Sequence, residues 1–408
     1  MGRRDEKIET RLNDLRTRMA VAGMEAALLL HHRDVLYYAG TVRPAALLIT
    51  PGEAILLVRR GFDYAREETT LPPEAVVPMR GFSSVVQAAE RLGLELGEPG
   101  GIDRNRRVLG TELDLIPAML YQRLQEVFPG WKLTNISPIV LDQRIAKDEH
   151  EIAVTRQACL VADAGHAAAA ELVTAGISEL ELAAEVEAAI RRAGHGGFQP
   201  LRHPEARGAG VLLMSGEHLT VRGGHGLVVT GVGLGPAMPY GPSRRVLQPG
   251  DLVVVDIGAI YDGYTADESR TFVVGEATAA QQALFDVAYA AEEAVLSALR
   301  PGRAVSELYA LAEAVVARGA APYFAPQSLV LPGLVGHGVG LELDEPPVLW
   351  PKDETVLRPG MVLAIEIEVS APEPGMMVKL EDTVVVHADG CEIATHTSRE
   401  LIACVRGQ

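Results

Sequence analysis

Apolar and polar positions in the first part of the chain alternate between helical and strand-like spacing. Residues 5–23 carry apolar side chains three or four positions apart, which predicts a helix. These side chains are Ile8, Leu12, Leu15 and Met19. Short apolar runs at 26–30, 45–49 and 54–58 follow, separated by turn residues, and predict strands. Strands with intervening helices predict an α/β domain at the beginning of the chain.

A change of pattern marks the end of this domain. The run PIVLD at 138–142 is strand-like, and the charged sequence KDEHE at 147–151 is typical of a helix start. We therefore expect two domains, 1–142 and 143–408. The length of 408 residues is enough for each of them to bury its own core.

The second part contains an internal repeat. Helices are predicted at 148–173 and 178–193, and again at 278–299 and 306–318. Each helix pair is followed by an apolar strand, LVVVD in the first copy and VLAIE in the second. From Pro249 to Asp256 is seven residues, and from Pro359 to Glu366 is also seven. This agreement favours two copies of one helix–helix–hairpin unit.

Each copy has one carboxylate on a strand and another on the returning strand. Asp256 and Asp267 flank the turn at 261–264, and Glu366 and Glu381 flank a turn in the sequence APEPG. Both pairs are expected to face each other directly across antiparallel hairpins.

Four carboxylates in such apolar strands need compensation, because burying an uncompensated ionised group costs several kcal/mol. His337, in the sequence GHGVG, is a fifth candidate, since its glycine neighbours permit close approach to a site. Four carboxylates and one imidazole are enough for two divalent metal ions, and the ligand types suit Mn, Co, Fe or Zn better than Cu. The alternative is that the acids are solvated or paired with arginines.

Composition excludes several function classes. The formal net charge of −17 makes nucleic-acid and membrane-surface binding unfavourable. Three widely spaced cysteines indicate a reducing compartment, and we expect a cytoplasmic protein without a membrane span. The sequence GVGLG at 231–235 is not expected to bind a dinucleotide, because PAMP follows it instead of a helix.

The sequence resembles the pita-bread metallohydrolases, a family of Xaa-Pro aminopeptidases, prolidases, methionine aminopeptidases and creatinase. The resemblance runs through VVVDIGAIYDGYTADESRTF, GHGVGLELDEPP, PGMVLAIE and KLEDTVVV. It also covers the N-terminal part, which looks like a creatinase-type domain. It implies an α/β creatinase-type N-terminal domain and an α+β pita-bread catalytic domain with an internal pseudo-two-fold duplication. It also implies a homodimer.

The resemblance implies a role for each of the five candidates. Asp267 and Glu381 would bridge two metal ions, and Asp256 would chelate one of them. His337 and Glu366 would complete the coordination shell of the other ion. Glu366 would take the proton of the attacking water and pass it to the leaving amine. The expected cofactors are two divalent ions (Mn, Co or Zn), with Mn favoured.

The substrate side departs from the family pattern. Two histidines that contact substrate in prolidases and Xaa-Pro aminopeptidases are replaced by Tyr240 and Asp344. Tyr240 would donate to an oxyanion or pack beside its neighbours, and Asp344 would favour a cationic substrate group or cap a turn. Lys379 would bind a substrate carboxylate or neutralise the acidic cluster. One of three other histidines would take the place of a missing substrate-contacting histidine: His203, His218 or His225.

The sequence therefore predicts a dinuclear metal hydrolase that cleaves an amide C–N bond, most simply an Xaa-Pro peptidase acting on short peptides. One alternative is a small-molecule C–N hydrolase of the creatinase or ectoine hydrolase type. A second alternative is a binding scaffold without catalytic activity.

Overall fold

The computed structural model describes residues 2–97, 107–202, 210–223 and 228–405. The chain divides into two compact units, Met1–Gln143 and Arg144–Gln408.

The first unit is built around a six-stranded mixed sheet with the strand order β4-β3-β2-β1-β5-β6. Its elements are α1 (Gly2–Val21), β1 (Ala26–Leu29), α2 (His32–Ala39), β2 (Ala45–Ile49), β3 (Ala54–Val58), α3 (Phe62–Glu68), β4 (Val76–Pro78), α4 (Phe82–Arg91), β5 (Arg107–Thr111), α5 (Ala118–Val127), β6 (Trp131–Asn135) and α6 (Ser137–Ile145). The predicted first helix and the three predicted strands are confirmed. The residues of β1 and β3 are buried throughout, which explains their continuous apolar runs.

The prediction of a strand at 138–142 is wrong. PIVLD lies in α6, where Pro138 occupies the first turn, a position at which proline costs no helical hydrogen bond. Tertiary contacts support the helical form, since Gln143 accepts a hydrogen bond from Tyr38 (2.8 Å) and donates one to the carbonyl of Arg11 (2.8 Å). A short apolar run cannot be assigned to helix or strand by periodicity alone.

The second unit contains the repeated segments. Its elements are α7 (Glu149–Leu172), α8 (Glu179–Arg192), β7 (Val211–Ser215), β8 (Leu252–Tyr261), β9 (Tyr264–Val274), α9 (Ala279–Ala298), α10 (Val305–Val316), β10 (Gly336–Gly338), β11 (Glu345–Val348), β12 (Val362–Ser370), β13 (Met377–Val386), β14 (Cys391–Ile393) and β15 (Ile402–Cys404). All four predicted helices and both predicted hairpins are present. Among the described residues, no helix is long and apolar enough to cross a membrane.

Capping residues fix where three of these helices begin. Asp148, Ser178 and Thr278 each accept a backbone N–H of the first turn, and a Glu or Gln three positions later closes a capping box. The nine-stranded sheet has the order β11-β10-β12-β13-β9-β8-β7, with β14 paired to β13 and β15 paired to β9. The two hairpins therefore lie side by side in its centre. The four strands that carry the candidate carboxylates are therefore neighbours.

The register of the two hairpins agrees with one prediction and corrects the other. Glu366 pairs directly with Glu381, as predicted. Asp256 pairs with Ser269, whereas Asp267 pairs with Gly258, so the prediction that the two aspartates face each other directly is wrong. The turn centres on Asp262 and Gly263, one position later than the midpoint of the two aspartates. An offset of two residues still leaves both aspartates on the same face of the hairpin.

Candidate metal centre

Strand alternation brings the four carboxylates and His337 together on one face of the sheet. Residue pairing across the β12–β13, β13–β9 and β8–β9 ladders places Glu366, Glu381, Ser269 and Asp256 in one row across the sheet. His337 comes from β10, whose next neighbour is β12. All five candidates are buried, with exposed fractions between 0% for Glu381 and 8% for His337.

The two glycines beside His337 are required by packing. A Cβ at Gly336 would lie 2.3 Å from the carbonyl oxygen of Ala364, and one at Gly338 would lie 2.4 Å from that of Pro346. Only glycine allows β10 to fit this closely between its neighbours. The imidazole Nε2 is thereby placed 3.7 Å from Asp267 Oδ2 and 3.9 Å from Glu366 Oε1.

Lys379 lies among the acids. Its Nζ is 2.8 Å from Asp256 Oδ2, 3.0 Å from Glu366 Oε2 and 2.9 Å from Glu381 Oε2. An ammonium group has three N–H donors, and here three carboxylates receive them. This geometry favours the alternative in which Lys379 neutralises the cluster.

One lysine does not compensate the cluster fully. Burial, followed by the charge of Glu381, raises the pKa of Asp267 well above its usual value. Burial also raises the pKa of Glu381 to about 7, although Lys379 opposes the shift. Burial lowers the pKa of His337, but nearby carboxylates, Asp344 first among them, outweigh it and raise that pKa. The cluster thus holds more negative charge than its own cations balance.

The donor atoms fit a divalent metal. Within the described part of the chain, Asp267 Oδ1 and Glu381 Oε1 are buried without a hydrogen-bond partner. One ligand atom from each of Asp267, His337 and Glu381 lies within 4.8 Å of the other two. Carboxylate oxygens with one imidazole are the ligands that Mn, Co and Zn accept. The second oxygen of Glu381 accepts a hydrogen bond from Ser269 (2.8 Å), which fixes the orientation of that carboxylate.

Asp344 lies beside His337. Its side chain is 63% exposed, and its Oδ1 is 3.4 Å from His337 Nε2. The acids on either side of it are buried and held by cations: Glu342 by Arg144 (3.0 Å) and Glu345 by Lys147 (3.2 Å). The loop is therefore anchored on both sides of Asp344, whose carboxylate remains accessible.

The other predicted substrate residues differ in their surroundings. Tyr240 is buried, with 8% of its surface exposed. His218 Nδ1 lies 3.2 Å from Glu179 and 3.3 Å from Ser243 Oγ, in a hydrogen-bonded cluster at the start of α8. His203 and His225 lie outside the described residues.

Sequence reasoning did not identify the contacts of Arg270 or the presence of Glu368 near the centre. On the opposite face of β9 and β13, Arg270 is fully buried and contacts Asp382 (2.6 Å) and Glu268 (3.0 Å), and it donates to the carbonyl of Glu381 (2.6 Å). On the metal-ligand face, Glu368 follows Glu366 by two positions and is 2% exposed. The spacing of two in a strand was the signal for Glu368, because it places both acids on one face. No comparable signal pairs Arg270 with an acid more than a hundred residues away.

Comparison with known proteins agrees with this geometry. Metallopeptidase family M24 matches residues 153–388, and the creatinase/prolidase N-terminal domain matches residues 11–146. The Xaa-Pro dipeptidase of Pyrococcus horikoshii is 30% identical over 384 residues, which cover 93% of this chain and 95% of that protein. The Xaa-Pro dipeptidase of Pyrococcus furiosus is 30% identical over 374 residues, covering 90% and 92% respectively.

Solved structures have the same fold. The prolidase from Pyrococcus horikoshii superposes with a TM-score of 0.77 at 27% identity, covering 96% of this chain and all of that one. The prolidase from Pyrococcus furiosus gives a TM-score of 0.74 at 27% identity, covering 94% and 99%. The resemblance inferred from the sequence, with a creatinase-type N-terminal domain and a pita-bread catalytic domain, is confirmed.

Proposed function

We propose that this chain, which belongs to metallopeptidase family M24, hydrolyses Xaa-Pro bonds in short peptides. The observation that carries the proposal is the buried cluster of four carboxylates and one imidazole on the central strands of the sheet. The names of the relatives from Pyrococcus support the choice of an Xaa-Pro bond. We assign catalysis to residues 143–408, since the cluster and the match to family M24 both fall there.

We assign the five residues Asp256, Asp267, His337, Glu366 and Glu381 as ligands of two divalent ions, with Mn favoured over Co and Zn. Such ions polarise the scissile carbonyl and lower the pKa of water at the centre, which makes hydroxide available near neutral pH. The partnerless oxygens of Asp267 and Glu381 support this assignment.

The side chains of the protein supply proton transfer and orientation. Glu366 accepts the proton of the attacking water and delivers it to the leaving amine. Tyr240 donates a hydrogen bond to the oxygen that becomes negatively charged. Asp344, with its exposed carboxylate beside His337, receives the free amino group of the substrate. His225 remains a candidate substrate residue.

A second candidate activity is the hydrolysis of a C–N bond in a small non-peptide amide. The exposed carboxylate of Asp344 favours it, because any small cationic amide would be attracted to the same position.

A substrate panel with metal analysis tests these proposals. Protein loaded with Mn or Co is expected to bind two ions per chain and to cleave Xaa-Pro dipeptides in preference to Xaa-Ala dipeptides and small amides. Replacing Glu366 by Gln is expected to lower kcat by about 100-fold or more, because the proton acceptor is lost.

Asp267→Asn is expected to lose metal, and Asp262→Asn is the matched control, since Asp262 is exposed in the turn of the same hairpin. Equal metal content in these two variants would refute the ligand assignment. Preferential turnover of a small amide would replace the peptidase proposal by the second candidate, and metal-free protein would favour a binding scaffold.

We also propose a homodimer and a cytoplasmic location. The cysteines support the location, because their odd number and wide spacing in the sequence fit a reducing compartment. Light scattering on the purified protein tests the dimer, and fractionation of the source cells tests the location.

A further inference from the structure

The two hairpins of the second unit meet along β9 and β13, and this junction is built differently from the hairpins themselves. Within the hairpins, backbone pairing extends along the whole of β8 and the whole of β12. Between the hairpins, the described part of the chain shows one pair in register, Ser269 with Glu381. Backbone pairing alone therefore does little to fix how β9 and β13 lie beside each other.

Two threonine hydroxyls join the strands on either side of this central pair. The hydroxyl of Thr383 on β13 accepts the backbone N–H of Asp267 (2.9 Å) and donates to the carbonyl of the same residue (2.8 Å). The hydroxyl of Thr271 on β9 accepts the backbone N–H of Lys379 (3.0 Å) and donates to its carbonyl (2.8 Å). Both threonines are fully buried. Because a hydroxyl is both a donor and an acceptor, each one satisfies both backbone groups of a residue on the other hairpin.

The internal repeat relates these two contacts to each other. Each threonine lies two positions after its own member of the central pair, and each holds the residue two positions before the other member. The same arrangement thus occurs once in each copy of the helix–helix–hairpin unit. This recurrence indicates that the contacts serve something to which both hairpins contribute.

The backbone groups held in this way belong to the candidate metal centre. Asp267 is one of the two assigned bridging ligands, and Lys379 contacts the carboxylates of three of the five candidate ligands. The bridging ligands Asp267 and Glu381 lie on different hairpins, so the distance between their carboxylates depends on the separation of β9 and β13. A metal centre tolerates ligand displacements of only about 0.5 Å, and hydrogen bonds outside the coordination shell keep its ligands in place.

We propose that Thr271 and Thr383 are positioning residues of the metal centre, whose hydroxyls set the separation of β9 and β13 at which both hairpins share two ions. They act through the backbone of Asp267 and Lys379. This inference rests on the proposed ligand assignment, and it adds the residues that hold the ligands of one hairpin against those of the other.

Valine removes a threonine hydroxyl while it keeps the shape of the side chain. In Thr383→Val, the buried N–H and carbonyl of Asp267 lose their partner, and β9 has to shift before they can find another. The central pair is fastened independently, because Arg270 donates to the carbonyls of Ser269 (3.0 Å) and Glu381 (2.6 Å). The variant is therefore expected to keep the fold and to lose the exact spacing of the strands.

Titration of the metal-free proteins with Mn²⁺ tests the proposal without measuring activity. Calorimetry gives the affinity of each ion, and electron paramagnetic resonance shows whether the bound ions form a coupled pair. Wild type is expected to bind two ions and to give the coupled spectrum at saturation. Thr383→Val is expected to bind the second ion about 10- to 100-fold more weakly, which is typical for loss of a group that orients a ligand. At the Mn²⁺ concentration that saturates wild type, it should show the spectrum of isolated ions.

Three further variants complete the design. Thr383→Ser keeps the hydroxyl, and so it should keep both the affinity and the coupled spectrum. Thr271→Val should also weaken the second ion, because a shift of Lys379 moves the carboxylates that it contacts. Thr155→Val is the matched control on α7, since this buried hydroxyl has no hydrogen-bond partner among the described residues. Thermal unfolding followed by circular dichroism shows whether each variant is folded.

The outcomes separate this inference from the proposed function. If wild type binds no metal, both fall. If it binds two ions but cleaves no Xaa-Pro peptide, the proposed substrate is refuted, and the titration still decides the role of the threonines.

Three results concern the hydroxyls alone. If Thr383→Val has a lower Tm but keeps both ions and the coupled spectrum, the hydroxyl only stabilises the fold, and the inference is refuted. Equal losses of affinity in Thr383→Ser and Thr383→Val would also refute it, because the hydroxyl would not be the cause. If Thr383→Val does not fold, Thr271→Val decides by the same criterion.

Discussion

Replacing Arg270 by Met should destabilise the catalytic unit severely. Arg270 is fully buried, and its guanidinium contacts the carboxylates of Asp382 and Glu268. Met fills a similar volume but leaves both acids without their shared cation. Removing one partner of a buried ion pair costs about 3–5 kcal/mol. For a unit of this size, that corresponds to a fall in Tm of about 6–20 °C.

Thermal unfolding followed by circular dichroism measures this effect. Arg300→Met is the matched control, because Arg300 is exposed in the same unit, and its Tm should stay within about 2 °C of wild type. The double variant Arg270→Met with Asp382→Asn should recover part of the loss, since it removes the negative charge of one acid that has lost its contact with Arg270, although Arg399 still lies 2.9 Å from Asp382. If Arg270→Met has the same Tm as the control variant, the reasoning about the buried ion pairs is refuted.

Three further predictions concern other parts of the fold. Burial raises the pKa of Glu112 to about 7, so the folded protein keeps a proton that the unfolded chain releases near 4.5, and stability should fall as pH rises through this window. Urea unfolding between pH 4.5 and 8 should show that the free energy of unfolding falls less with pH in Glu112→Gln than in wild type. An unchanged pH profile in this variant would show that Glu112 is not the cause of the fall. Glu179→Ala should lower the free energy of unfolding by about 2–4 kcal/mol in the same assay, because Glu179 accepts four hydrogen bonds from two buried serines. Glu185→Ala, exposed on the same helix, should have little effect, and equal losses would refute the argument. Gly165→Ala should lower Tm although alanine favours helices, because the added Cβ would lie 2.6 Å from Ile190 Cγ2. A higher Tm in this variant would show that the packing relaxes to accommodate the methyl group.

Strand alternation made it possible to predict which face of the sheet carries the candidate ligands. The accuracy of the predicted strand register was limited by the exact position of each turn. Glu366 and Glu381 pair as expected, because their midpoint coincides with the centre of their turn. Asp256 and Asp267 are offset because the turn lies one position later, and an error of one in the turn becomes two in the register. Sequence periodicity identifies the face on which a side chain lies, but not the partner it meets there.

The contact partners of the charged groups around the centre could not be predicted from the sequence. Lys379 could be placed on the correct face, but its three carboxylate contacts depend on how β8, β12 and β13 come together. Arg270 contacts Asp382, which is far away in sequence, and the pairing of buried charges leaves no periodic trace. In the same way, the apolar run PIVLD predicts a strand, whereas the helix it forms is supported by tertiary contacts of the neighbouring Gln143 that the run itself does not reveal.

The distribution of the five candidate ligands along the chain also has a consequence for biosynthesis. Asp256 and Asp267 are translated first, whereas Glu381 comes more than a hundred residues later and belongs to the other hairpin. A growing polypeptide that stops before β13 lacks both Glu381 and the strand that aligns Glu366. The proposed peptidase therefore cannot become active on the ribosome until nearly all of its catalytic unit has been made.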